Sequence, residues 1–365
     1  MRLVWGIVAA IIDDAPDVQR VLVSFTTHEG DRQAVCYPSL TGRCSVAERV
    51  LCNTTAVDRH LGTGGEHFVV AREGAGVPLD DPVPGHIMKL RYTPLQRDVT
   101  AVEEPASGHH EVMAQARSLD GMPVVCCGLH SQIAVVAGAI KELVPGARIA
   151  YVMTDGAALP LAVSRLVPEM LSVGLLDETI TAGQAFGGRI EAVTLHSGVL
   201  AARHVAGADV AVVAIGPGIP GTATPFGHGG IAQGEAINAV AALGGAPIAV
   251  LRLSFADPRP RHVPVSHQTL TALADVALAR ARVAVPHLPL EQAESVDAAL
   301  EAAGVWSRHE RCESPAQVLP GCRGVTLRTM GRGPADDPAF FMAAAAAGDV
   351  AAGLLKSVQE RIPIQ

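Results

Sequence analysis

The sequence predicts an α/β protein: a mainly parallel layered sheet with helices on both faces, preceded by a small β-rich, barrel-like domain. Three observations lead there. From Pro123 onward, short apolar runs alternate with helical stretches through polar turns. The run Val210–Ile215 carries no charge, as a strand covered on both faces requires. Before residue 100, short β-branched runs are separated by turns rich in Gly, Asp and Pro. The expected domains are 1–100 (β-rich), 101–290 (α/β, carrying the site) and 291–365 (a helical extension packing on the α/β domain).

In order, residues 3–12 and 18–26 flank Asp13-Asp14-Ala15-Pro16-Asp17 and read as a hairpin. Residues 33–37, 49–53 and 67–71 are shorter strands, and 61–65 is a tight turn. A Gly/Pro/Asp-rich connector at 73–84 precedes 85–96, which concentrates His86, Lys89, Arg91 and Tyr92 as either a solvated linker or a basic arm. Residues 108–119 are helical. Strands at 124–128, 148–153, 179–183, 190–195, 210–215, 248–253 and 282–285 then alternate with helices ending near 143, 170, 205 and 243, and with one starting near Ser266. Residues 291–303 form a surface helix and 312–323 are irregular. Asp337 as N-cap and Pro338 at the first position open a final Ala-rich helix, dented at Gly348. Residues 330–334 form a joint that delivers Arg332.

Composition bounds function. With 365 residues the chain can bury a large core, and 49% hydrophobic against 3% aromatic content means a core of Ala, Val, Leu and Ile. A net charge of −8 argues against a nucleic-acid binder, which would normally show a basic face. The 7 cysteines contain no C-x-x-C pair, which fits reduced thiols in a cytoplasmic protein and gives a zinc site no support. Arg2 and the apolar run 3–12 run straight into Asp13 and Asp14, so they read as a strand and not as a signal segment. His130, Ser131 and Gln132 interrupt 122–140, so no membrane span is expected. The many apolar Ala/Val helices need covering, which suggests a homo-oligomer.

The candidate chemistry gathers at the carboxyl ends of the expected strands, the edge where open parallel sheets bind ligands. His130-Ser131 is either a base beside a hydroxyl or a helix cap. Asp155, before Gly156, is a carboxylate for a base, metal or ribose, or an ordinary turn residue. His196-Ser197 repeats the His-Ser pair. Gly216, Gly218 and Gly221 spell G-x-G-x-x-G, and Thr222 adds a hydroxyl. However, Pro217 and Pro220 remove donors, and no acidic residue closes a following strand, so dinucleotide binding lacks its usual pattern. Pro258 and Pro260 stiffen the segment that presents Arg259 and Arg261, whose guanidinium groups suit a carboxylate or phosphate. His262 and His267 follow as proton shuttles. The bland alternative is a rigid loop with Asp257 pairing the arginines. No H-x-H or H-E-x-x-H spacing marks a metal site among the 14 histidines.

Several strings are recognisable together: LGTGG at 61–65, GHIMKLRYTPLQ at 85–96, YVMTDGAALP at 151–160 and GQAFGGRIEAV at 183–193. LRLSFADPRPRHVPVSH at 251–267 and MGRGPADDPAFF at 330–341 complete the set. On these the chain resembles, over nearly its whole length, a bacterial family known as domain of unknown function three-eight-six-six. The resemblance implies no reaction, cofactor or catalytic residue. Where that family reads GTGTPWGFSG, this chain has GTATPFGHGG over 221–230, so Ala223, Phe226, His228 and Gly229 depart and His228 is set aside as a catalytic candidate.

The favoured function is an enzyme binding a small anionic, even phosphorylated, metabolite at the carboxyl edge. Asp155, His196, His262 and His267 are the acid–base candidates. His130, Ser131, Gly216, Gly218, Gly221, Thr222, Arg259 and Arg261 are the ligand-binding ones. No cofactor or metal is assigned. The alternative is a non-catalytic ligand sensor or assembly protein using the same pocket.

Overall fold

The computed structural model describes residues 1–61, 64–74, 84–315, 322 and 324–359. The turn read at 61–65, the connector at 73–84 and the stretch at 312–323 lie partly outside them. The chain divides into two compact units, Met1–Asp98 and Val99–Gln365.

In the first unit, β1 (Leu3–Asp14), β2 (Gln19–Phe25), β3 (Asp31–Cys36), β4 (Arg49–Asn53) and β5 (His67–Arg72) close into a barrel in the order β1-β2-β3-β5-β4. The expected hairpin is β1 with β2, paired antiparallel. β1 also pairs with β4, and it bends to serve both neighbours through register shifts between Val8 and Ala10 and between Ile11 and Asp13. Gly6 is required at that crossing, because a Cβ there would lie 2.5 Å from Val23 Cγ1. Val8, Val21, Val23, Phe25, Val50 and Val69 fill the interior together with Cys36, Cys44 and Cys52, which are free buried thiols. Those three cysteines thus belong to the barrel core. Short helices α1 (Pro38–Thr41) and α2 (Thr55–Asp58) join strands. β6 (Ile87–Lys89) and β7 (Arg97–Val99) make a separate two-stranded sheet, with Lys89 buried and Tyr92 exposed.

In the second unit, α3 (His110–Gln115) precedes a parallel sheet of β8 (Pro123–Cys126), β9 (Ile149–Thr154), β10 (Glu178–Ala182), β11 (Ile190–Ala192), β12 (Val210–Ile215), β13 (Ala246–Val250), β14 (Arg282–Pro286) and β15 (Glu310–Ser314). Their order is β11-β10-β9-β12-β8-β13-β14-β15. The helices are α4 (Ile133–Leu143), α5 (Leu166–Ser172), α6 (Leu195–His204), α7 (Ile231–Ala242), α8 (His267–Thr271), α9 (Leu290–Ala302) and α10 (Pro338–Gln359). β12 shows why its sequence carries no charge. Val210, Val212 and Ala214 pack on the face covered by α4, α5 and α10. Ala211 and Val213 pack on the face covered by α6, α7 and α9. Gly348 is a contact point rather than a dent: a Cβ there would lie 2.6 Å from Ala139 Cβ and from the Val136 carbonyl, so glycine lets α10 approach α4. Pro338–Ser357 is long and apolar enough to cross a membrane, but 67% of its most apolar window is buried inside the fold.

Two expectations change. The strands do not stop at β14, because Glu310–Ser314 adds β15 parallel to it. An edge strand bonded on one side can carry charge, and Glu310, Arg311 and Glu313 hide it from hydrophobic patterning. The helix expected after Gly156 is only a 3₁₀ turn at Leu161–Val163 followed by α5, since Pro160 precludes a continuous helix.

Candidate functional site

The side on which helices cover the sheet reverses beside β8. The helix after β8 lies on one face of the sheet, while those after its neighbours β12 and β13 lie on the other. Ligand sites in such sheets form at this kind of reversal, outside the carboxyl ends of the strands. Two glutamines pin these ends. Gln132 Nε2 donates to the Leu251 carbonyl at 3.1 Å, and Gln233 Nε2 donates to the Cys126 and Val250 carbonyls at 2.9 and 2.7 Å.

After β12 the chain turns at Gly216, where a Cβ would lie 2.4 Å from the Ala158 carbonyl oxygen, so only glycine fits. The loop then folds on itself. Thr222 N donates to the Gly227 carbonyl (2.8 Å) and Gly229 N to Pro220 (3.0 Å). Thr222 Oγ1 and Thr224 Oγ1 lie 2.9 Å apart. The first N–H groups of α7 are spent on carbonyls of the same loop: Ala232 N reaches Gly229 (3.2 Å) and Gln233 N reaches Gly230 (3.1 Å). The G-x-G-x-x-G string is therefore a packing turn, and the helix start offers no open phosphate cradle of the dinucleotide type.

After β13 the chain lays down a charge cluster. Asp257, its side chain 1% exposed, takes Arg259 Nε at 2.8 Å, Arg259 Nη2 at 2.7 Å and Arg332 Nη2 at 3.1 Å. Arg332 Nε also donates to Asp337 Oδ2 (3.1 Å), which accepts from Ser254 Oγ (2.7 Å). The joint at 330–334 thus does deliver Arg332, through a tight turn with positive φ at Met330 (48°) and Gly331 (83°). Asp337 stands before α10, but its carboxylate serves this cluster. Arg252, 5% exposed, donates Nη1 to Gln268 Oε1 at 2.6 Å. Burial lowers its pKa to about 10, and Arg259, Arg332 and Arg261 push the same way. Arg261 is exposed and makes no ion pair or hydrogen bond among the described residues. The balance is four guanidinium groups against the two carboxylates of Asp257 and Asp337.

Beside this cluster stand three histidines in a row. Ring centroids of His228 and His267 are 5.3 Å apart, and those of His267 and His262 are 5.4 Å apart. His262 is buried, and its Nδ1 lies 2.7 Å from Ser266 Oγ. Burial, reinforced by Arg252 and Arg259, pushes its pKa down to about 3. Burial also lowers His267 and His228. Burial first, and the nearby cations second, hold all three toward the neutral form. Among the described residues, no group of three or more His, Cys, Asp or Glu is arranged to hold a metal ion.

The other candidates share the rim but not this pocket. His130 is half-buried between Tyr151 Oη (3.0 Å) and Ser164 Oγ (2.7 Å), and desolvation lowers its pKa to about 4. Ser131 Oγ donates to Thr329 Oγ1 at 3.2 Å, tying β8 to the turn that carries Arg332. Asp155 is exposed and accepts from Gln184 N at 2.8 Å. It follows β9, three strands from β13, or about 14 Å at roughly 4.8 Å per strand. His196 is exposed at the start of α6 after the edge strand β11, five strands from β13, or about 24 Å. Ser197 completes a capping box with Thr194. Gly218 is exposed with φ 82° and open space around it, whereas Gly221 and Thr222 sit on the folded loop, Gly221 bridged to His228. The structure therefore brings together Arg259, Arg261, His262, His267 and Gly221, and leaves Asp155 and His196 apart.

Sequence reasoning did not select Arg252, Gln268 or His228. A lone cation directly after the apolar run of β13 was the available signal for Arg252. His228 was set aside on its family mismatch, yet it is 7% exposed with neither ring nitrogen hydrogen-bonded. A family model described as protein of unknown function (DUF3866) matches residues 33–348. No curated protein matches the chain.

Proposed function

The chain belongs to the family described as protein of unknown function (DUF3866), and from its site we propose an enzyme that binds a small anionic metabolite between the loops after β12 and β13. The observation that carries this reading is the unbalanced charge: Arg252, Arg259 and Arg332 share the carboxylates of Asp257 and Asp337, and Arg261 stands nearby unpaired among the described residues, beside three neutral imidazoles. Arg259 is held by Asp257 and shapes the loop, so Arg261 is the free cation that meets the anion. Neutral His262 and His267 supply ring nitrogens that hydrogen-bond and orient a bound hydroxyl or water, and the guanidinium groups stabilise an anion formed beside them. The other reading is a ligand sensor, favoured by Phe226, which stands 65% exposed on the loop tip as a partner contact would. A thermal-shift screen of anionic metabolites on the wild-type chain, Arg261→Ala and His262→Ala tests the proposal. A hit should lose its stabilisation in Arg261→Ala, and in His262→Ala it should bind without turnover. A hit that stabilises both variants as it does the wild type removes this pocket. Stabilisation without turnover of any hit by the wild type selects the sensor.

A further inference from the structure

His228 is the least explained polar side chain of the site. It is 7% exposed, and both ring nitrogens are buried without a hydrogen bond. Buried polar atoms are almost always partnered, so such a ring marks a place where something else binds. The Pro225 carbonyl lies near enough to act on its proton without meeting hydrogen-bond geometry. The ring lies beside Gly230 and Gln268: a Cβ on Gly230 would stand 3.0 Å from His228 Nδ1 and 3.2 Å from Gln268 Cβ. Gly221 is bridged to the His228 backbone, and a Cβ on Gly221 would lie 3.3 Å from Gln268 Nε2, an amide nitrogen with no hydrogen bond among the described residues. The other end of that amide is held by Arg252, so Nε2 is fixed as a donor toward the turn. Arg261 sits close enough to act on the charge of His262 and His267.

A neutral imidazole has one N–H and one lone pair. Burial, aided by the Arg252 charge, disfavours a second proton on it. A ligand that fills this place must therefore both accept and donate. Carboxylates and sulfate only accept. A phosphate group that keeps a proton does both, and its remaining oxygens suit Gln268 and Arg261. We infer that the pocket takes a protonated phosphate group, with His228 as its donor–acceptor partner and Gln268 and Arg261 as further donors. The inference rests on the anion-site reading above and narrows its ligand class.

The test compares inorganic phosphate with sulfate, matched in ionic strength, by calorimetric titration of the full chain at about pH 7.5, where phosphate still carries a proton and sulfate does not. Phosphate should bind about tenfold or more tightly than sulfate, the effect of one unmatched buried hydrogen bond. His228→Phe should abolish the preference, so that phosphate and sulfate bind alike, with circular dichroism reporting that the variant is folded. His228→Gln, whose amide donates and accepts, should keep most of the preference. Histidine 15N spectra of the wild type need no variant: phosphate should move the His228 ring signals at about tenfold lower concentration than sulfate does. Equal binding of the two anions by the wild type, or a preference that survives His228→Phe, overturns the inference. If both anions bind equally and Arg261→Ala abolishes both, the anion site stands and only the phosphate assignment falls. If neither anion binds, both fall.

Discussion

Asp257→Ala should be the most damaging single change near the site, and its cost can be worked from the contacts. The carboxylate is 1% exposed and holds Arg259 through two side-chain bonds (2.8 and 2.7 Å) and Arg332 through one (3.1 Å). Arg252 Nη2 lies 3.9 Å away. Removing one partner of a buried ion pair costs about 3–5 kcal/mol, because the charge left behind is uncompensated. Two of these cations have an escape. The Arg259 side chain is 33% exposed and can turn to water, and Arg332 keeps Asp337. Arg252, with its side chain 6% exposed, has none and keeps only Gln268. The expected loss is therefore at the lower end, about 3 kcal/mol. At roughly 2–4 °C per kcal/mol that lowers Tm by about 6–12 °C. Urea unfolding followed by circular dichroism measures it. The pH dependence supplies a second check. Hydrogen bonds from Arg259 hold the Asp257 carboxyl well below the usual carboxylate range. Its contribution is thus complete above the unfolded pKa of about 4 and is lost as pH falls toward the lower folded value. The gap between wild type and variant should shrink on acidification below about pH 4. A gap under about 1 kcal/mol at pH 7, or one that stays constant into acid, would refute the claim that Asp257 organises the cluster.

Two further outcomes follow from burial and from sterics. His130 has a folded pKa of about 4 against 6.5 when unfolded, so the unfolded chain takes up its proton first and stability should fall as pH drops between those values. Its share is roughly 3 kcal/mol, and His130→Gln should flatten the slope of urea stability between about pH 6.5 and 4. Gly216→Ala should cost at least about 2 kcal/mol, since its Cβ would meet a backbone oxygen that cannot step aside. Gly218→Ala, with positive φ but open space, should cost only about 1 kcal/mol, and parallel thermal melts compare the two.

Residue type and spacing made much of the architecture legible. The uncharged run of β12 announces a strand covered on both faces, and its alternate residues do enter two different cores. The hairpin of β1 and β2 is readable from the turn at 13–17, which suits neither strand nor helix. β15 was not legible, because an edge strand satisfies only one side and its charges mask the period. The site was legible by half. Pro258 and Pro260 drew attention to a restrained loop bearing Arg259, Arg261 and His262, and that loop follows β13 at the carboxyl edge of the sheet. Which cation is free could not be read there: Arg259 and Arg261 are two residues apart and look alike, yet one is clamped by Asp257 and the other is not.

The order of polar and apolar residues along this chain determined where strands end and which ends carry chemistry, because backbone bonding and burial are decided within a few neighbours. The fold alone decided which of those ends meet. β12 enters between β9 and β8, and this insertion puts His196 five strands from β13 while bringing Arg332, from far along the chain, onto Asp257. Strand order depends on how whole faces pack, and charge pairing depends on strand order, so neither is written in any local stretch.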